Sequence, residues 1–568
     1  MRFFLAVCLL GSSSIFAAAL DREAFTFTRY DLEIRLEPDQ QRLGARGKLT
    51  LRNDSTQPQK NAVLQISSSL NWRSIKAAGK PLQFVSQSYV SDIDHTGALT
   101  EAIVALPAEI KPKETIELEI GYEGTIALNA TRLTQIGVPE EVANHTSWDQ
   151  IGPSFTALRG AGYVAWYPIA TVAADFTDGN SMFQVADRWR ARVAESEFRM
   201  SLTVSRAGDE TQPTLLCDSQ AGFKAQYLAN WSLLASCGEH NLGTVAPVIV
   251  GARYLDTSNP PLTLLALDGH QAGAAAYSGA LEPAVKFVAE WFGPPTAPVA
   301  IADLADPHAA PFESGALLLA SMAATDRKLA ELNLVHMLVH GARSSPRPWI
   351  QEGLAHFAEA LYRAEQQDGR QAALDFLGIH RATFLDAEKD VATLPEKNAG
   401  QPLASTYDES YYRSKAAYVW WMLRDMIGDD AFKQAIRKYR ATDDKDPKYV
   451  EELVASASKR DLGWFFNDWV YQDRGLPDLR VLAAHPWKGD AGKQIVTVTI
   501  ENLGNAGAEV PFTVRFADGE IRQRIEVRAK STATTRVEVA GTASEIIVND
   551  GSVPESDLTN NTFKITEP

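Results

Sequence analysis

The sequence predicts a multidomain α+β protein in which a β domain, an α/β-to-helical domain and a β-sandwich follow one another. Three changes of pattern carry this expectation. Apolar residues alternate at period two from Phe25 to about Arg206, helical spacing takes over after Ala246, and strand-like alternation returns beyond Gly475-Leu476-Pro477. Side chains alternate across a strand but return to one helix face roughly every 3.6 residues, so a change of period marks a change of architecture.

The first region contains Tyr30-Asp31-Leu32-Glu33-Ile34-Arg35-Leu36, Ala45 to Arg52, and Ile116-Glu117-Leu118-Glu119-Ile120, separated by turn clusters such as Asn53-Asp54-Ser55 and Glu123-Gly124. Alternation of this kind describes an antiparallel sheet with a polar face toward water. In the middle region, short apolar runs at Val248–Val250, Leu262–Leu267 and Val299–Leu304 alternate with helical stretches. Ala274 to Phe292 is one of these, stopped by Gly293-Pro294-Pro295. From Asp326 to Tyr471 the expectation is mainly helical. Gly341 is placed at the end of one helix and Pro348 in the first turn of the next. The last 90 or so residues, with Ile495 to Ile500 and Thr535 to Val539 as clear strands, are expected to form the sandwich.

At 568 residues with 45% hydrophobic and 22% charged content, the chain is long enough for several cores. Its net charge of -16 argues against nucleic acid, whose phosphates need a basic face. Residues 1–19 read as a secretory leader: Arg2, an apolar run from Phe3 to Leu10, then Ala17-Ala18-Ala19. The expected location is therefore secreted or periplasmic, with no transmembrane anchor after leader cleavage. Cys217 and Cys237 could then close a short disulfide loop in an oxidising compartment.

The chemistry concentrates around Val335-His336-Met337-Leu338-Val339-His340 and Trp349-Ile350-Gln351-Glu352-Gly353-Leu354-Ala355-His356-Phe357. Histidines at i and i+4 share one helix face. Glu352, in a second helix beyond a Pro-containing turn, can face the pair. Two histidines and a glutamate leave a fourth position open, the layout of a catalytic zinc site. The plainer alternatives are two helix histidines beside an apolar seam of Leu332, Val335 and Val339, and a first-turn glutamate favoured by the helix dipole. His356 and Glu359 follow on the face of Glu352, either as partners of the ligands or as solvated surface.

The Trp349 to Phe357 segment resembles the zinc-ligand segment of M1 (gluzincin) aminopeptidases, with a degenerate H-E-x-x-H motif. The spacer between His340 and Glu352 is shorter than in that family. Glu359 falls at the longer spacing but lacks the E-G-[LF]-A context, so the third ligand is assigned to Glu352. Ala310-Pro311-Phe312-Glu313-Ser314 resembles the family's exopeptidase motif, which implies that Glu313 binds a substrate α-amine. Tyr411-Tyr412-Arg413-Ser414-Lys415 resembles its oxyanion-binding tyrosine segment. Alignment on Lys415 puts Arg413 at the tyrosine position, with Tyr412 one residue away and Tyr411 two; Tyr412 is taken as the catalytic candidate, against a plain packing role. Asp461 to Val470 is similar to the close of the family's catalytic domain.

The resemblance implies an amino-terminal β saddle over 20–245, a thermolysin-like zinc metallopeptidase domain over 246–475 and a sandwich over 476–568, after the leader over 1–19. It implies Zn2+ held by His336, His340 and Glu352, and peptide or protein N-termini as partners. Met337 occupies the position of the general-base glutamate. Two functions are therefore carried forward: a weakened metallo(amino)peptidase, or a catalytically inactive peptide-binding pseudopeptidase.

Overall fold

A computed structural model describes residues 20–146, 148–178, 181–205, 214–217, 224–227, 233–243, 245–391, 402–489 and 493–565. The leader expected over 1–19 lies outside the described residues. The architecture is multidomain α+β, as expected. Alternating burial puts one face of Phe25–Glu37 in the core of an eight-stranded sheet. Its antiparallel neighbour is Arg42–Asn53, which pairs in turn with Thr115–Thr125.

On its other side lies Glu197–Val204, and that pairing is parallel. The sheet is thus not wholly antiparallel. The chain leaves it after Thr125, contributes strand Phe155–Leu158 to a separate three-stranded sheet and helix Ser181–Val193 to the core, and re-enters alongside the first strand. Such a crossover is what a parallel pair requires. Buried Trp189 of that helix meets Phe27 edge to face at 5.6 Å, and the Tyr30 hydroxyl donates to the Pro168 carbonyl at 3.1 Å. Cys217 and Cys237 form a disulfide with their Cα atoms 5.5 Å apart.

The next sheet runs in the order Leu255–Asp256, Leu262–Ala266, Val299–Asp303, Leu317–Ala320, Phe312–Ser314. Its three central strands are parallel and nearly continuous in apolar residues, and the crossover helix Gln271–Trp291 joins the first two. The edge strand Phe312–Ser314 is antiparallel and carries Glu313.

Behind this sheet stand the helices that hold the histidines and Glu352. Helix Arg327–Ala342 is capped by Asp326, whose side chain accepts the Leu329 N–H at 2.9 Å. Gly341 does not end it. It sits inside the last turn because its carbonyl accepts the N–H groups of Thr296 and Ala297, and a Cβ there would lie 2.7 Å from the Ala297 oxygen. Helix Pro348–Gln366 follows after a short turn, with Pro348 in its first turn as expected. Helix Ala416–Ile427 then packs against it so closely that a Cβ on Gly353 would come within 2.6 Å of the Ala416 Cβ. Trp349 and Trp420 stack at 4.8 Å, and the Trp420 indole N–H donates to the Trp349 carbonyl at 3.1 Å.

The C-terminal strands form two facing sheets, one of three and one of four strands. The Trp469 indole N–H reaches across to the Gly507 carbonyl at 2.8 Å, so the sandwich and the helical domain share one continuous core.

Gly353→Ala should destabilise the fold. Overpacking costs about 1–3 kcal/mol, while the helix propensity gained is only about 1 kcal/mol. Denaturant unfolding should show a lowered midpoint at unchanged slope. A raised midpoint would mean that the two helices can move apart without cost.

Candidate metal centre

His336 and His340 project from one face of their helix with ring centroids 5.0 Å apart, and both are buried. The tight turn and the Trp349–Trp420 stack deliver Glu352 to the same place. Its Oε2 lies 3.9 Å from His336 Nε2, and its Oε1 lies 3.9 Å from His340 Nε2. Glu352 is 2% exposed, and its Oε2 has no hydrogen-bond partner among the described residues. A buried carboxylate with one oxygen toward each imidazole, and one of them without a hydrogen bond, is an arrangement a metal ion could complete. Glu352 lies near the Nε2 atoms of both histidines, whereas Glu359 meets only the Nδ1 side of His336.

Glu313 joins the group from the edge strand. Its Oε1 accepts from His336 Nε2 at 2.9 Å and from His340 Nε2 at 2.7 Å. Burial pushes the Glu313 carboxyl up, but His336 and then His340 outweigh it and hold it well below the usual range. Burial likewise opposes charge on His336, yet Glu313 and Glu359 raise it well above an ordinary histidine. The four residues place one ligand atom each within 4.8 Å of one another, a donor set of two imidazoles and two carboxylates that suits zinc.

A second layer of contacts holds the imidazoles. His336 Nδ1 lies 2.5 Å from Glu359 Oε1, the carboxylate–histidine arrangement that orients a metal ligand. His340 Nδ1 lies 2.5 Å from the Gln351 amide nitrogen, and the Gln351 amide oxygen accepts the Ser345 N–H at 2.7 Å. His356 extends the cluster with its ring 4.8 Å from that of His336. His380 stands next to it, pushed down to about 3 by burial and then by the proximity of His356. Glu359 is thus a partner of His336 and not solvated surface.

Tyr412 and Arg413 lie on a π-helical turn, Ser410–Lys415. The buried pair of Lys415 Nζ and Asp473 Oδ1 at 2.6 Å fixes its end. Tyr412 is buried and its hydroxyl bonds Glu409. Burial first, then Glu409, raises it well above an ordinary tyrosine. Arg413 is the residue of this turn in contact with the ligand group, with its Nε 3.7 Å from Glu352 Oε2. Tyr412, and not Arg413, is the catalytic candidate taken from the sequence at this turn. The alignment held no sign, however, that Glu409 would take the tyrosine hydroxyl. Arg190 of the N-terminal domain also reaches Glu409, at 2.6 Å, so both domains meet at the site.

Met337 is fully buried in the apolar core. A cleft of about 970 Å³, counted out to its open mouth, is lined by Arg159, Tyr163, Arg190, Glu313, Tyr412 and Arg413, among others.

No protein-family model matches the chain, and no curated protein does. Among solved structures, the chain is similar to M1 zinc metallopeptidases. A mutant M1 zinc metallopeptidase of Deinococcus radiodurans, bound to a Tyr-Ser-Ala substrate, is 17% identical, with 80% of this chain and 96% of that chain covered and a TM-score of 0.48. The structure of the M1 zinc metallopeptidase from that organism matches at 17% identity and the same coverage, with a TM-score of 0.47. A mutant two-domain M1 zinc metallopeptidase bound to L-tryptophan is 16% identical over the same shares, also at 0.47.

Glu359→Gln should weaken zinc binding by roughly 10–100-fold, the usual cost of losing a charged partner behind a ligating histidine. Competition against a chromophoric chelator measures it. Unchanged affinity would show that Glu359 does not tune His336.

Proposed function

We propose that the chain is an exported zinc-binding protein on a metallopeptidase-like frame, which receives peptide N-termini in its cleft and cleaves them weakly. The observation that carries the reading is the convergence of His336, His340 and Glu352, with each imidazole Nε2 at 3.9 Å from a glutamate oxygen. The disulfide between Cys217 and Cys237 supports an oxidising compartment.

When bound, zinc supplies Lewis-acid polarisation of a carbonyl. The remaining work falls to side chains. Hydrolysis of a peptide bond needs a group that takes a proton from the attacking water and returns it to the leaving amine. The residue after His336 is the buried Met337, which can do neither. Glu352 is committed to the ligand group, Glu359 to His336 and Glu313 to both imidazoles. Arg413 can offer a positive charge to a developing oxyanion but cannot serve as a base, since a guanidinium stays protonated. General acid–base assistance is worth typically ~10²–10⁴-fold, so its loss leaves slow turnover at best.

A second reading, a pseudopeptidase that binds peptides without cleaving them, is favoured by the same buried methionine. The two differ only in residual rate.

Purified protein should carry about one zinc per chain, removed by chelators. At saturating aminoacyl-amide substrate, Met337→Glu should exceed the wild type by ~10²–10⁴-fold. Absence of zinc from both proteins would sink the reading. Equally high activity in both would reveal another base.

A further inference from the structure

Glu313 Oε1 lies against both imidazole Nε2 atoms, on the side where a three-ligand site would keep its open position. Resting on the reading above, that His336, His340 and Glu352 hold a metal, we propose that Glu313 is the fourth protein ligand of the resting site, and that it leaves the metal when an amine-bearing ligand enters the cleft.

The geometry carries the first half. Ligands at ~2.0–2.1 Å around a tetrahedral zinc stand about 3.3–3.4 Å from one another. Glu313 Oε1 is 2.9 and 2.7 Å from the two imidazole Nε2 atoms, and the Glu352 oxygens are 3.9 Å from them. These four separations straddle the tetrahedral edge, and all four ligand atoms lie within 4.8 Å of one another, close enough to share one centre after local adjustment. The Glu313 oxygen therefore occupies the corner where a catalytic site keeps its exchangeable ligand. Four protein ligands make a closed site.

Position carries the second half. Of the four, Glu313 lines the cleft, while His336, His340 and Glu352 are 6%, 4% and 2% exposed. Glu313 also sits on a three-residue edge strand beside Gly315, whereas the other three sit within packed helices. An ammonium group entering the cleft meets Glu313 first, and a carboxylate drawn to it can no longer lie against the imidazoles. Binding of the amine and opening of the metal are one event.

Cobalt(II) in place of zinc gives a visible spectrum that reports its ligands, and azide probes for an exchangeable position. The resting wild-type spectrum should not respond to azide. Glu313→Ala should respond, and should bind cobalt at least about 10-fold more weakly. Leucinol, an amine with no bond to cleave, should make the wild type responsive. An azide response in the resting wild type as large as in Glu313→Ala would overturn closure by Glu313. A wild type still unresponsive with saturating leucinol would overturn its release. Both outcomes leave the three-ligand site standing. Failure of the wild type to take up cobalt or zinc at all would overturn that site and this inference together. The two wild-type spectra decide the matter even where the variant is unstable.

Discussion

Two imidazoles and two carboxylates within 4.8 Å of one another, three of the residues buried and Glu313 half-buried, set the constraint that the surrounding strands and helices have to satisfy. Removing charge from water costs several kcal/mol per ion unless close partners return it. Such a group persists only if its members are held in contact. The chain holds them from three directions: an antiparallel edge strand brings Glu313, one helix brings both histidines, and the next helix brings Glu352. Each direction is locked by an unrelated contact. The edge strand pairs with Leu317–Ala320, the Gly341 carbonyl ties the histidine helix to the loop before Val299, and the tryptophan stack pins the first turn of the Glu352 helix.

The short connection between those helices explains why a reduced spacer can still assemble the group. With Pro348 starting the second helix, Glu352 falls one turn into it and points back at the histidine face. Glu359, about two turns further along, reaches the far side of the His336 ring instead. The same helix therefore supplies both a candidate ligand and the carboxylate that orients one. The spacing alone would have exchanged their roles.

Much of this was legible before any coordinates. The histidine pair follows from helical periodicity, Glu352 from its local context, and the strand regions from alternation. What escaped did so for physical reasons. The parallel partner of the first strand depends on a crossover of some seventy residues that leaves no local signal. Gly341 looks like a helix end because glycine usually is one there, whereas its role is to admit a neighbouring backbone. The pairing of Tyr412 with Glu409 and of Arg413 with Glu352 is set by a π-helical turn, which shifts the face each residue presents by a fraction of a turn. Glu313 was found as a residue, but its contact with both imidazoles belongs to tertiary structure alone.

Under the proposed function, Met337 leaves the candidate ligands in place and offers no base. A buried methionine contributes roughly 1.5–3 kcal/mol through removal of apolar surface from water. A carboxylate at the same position would have to be desolvated within the apolar core, which opposes its ionisation. A charged group here would thus work against folding, and the apolar Met337 avoids that cost. Closure of the fourth position by Glu313 acts in the same direction, since it supplies the charge that two imidazoles and a metal leave uncompensated. In the proposed resting centre Glu313 lies against both imidazoles, and chemistry requires it to be drawn away.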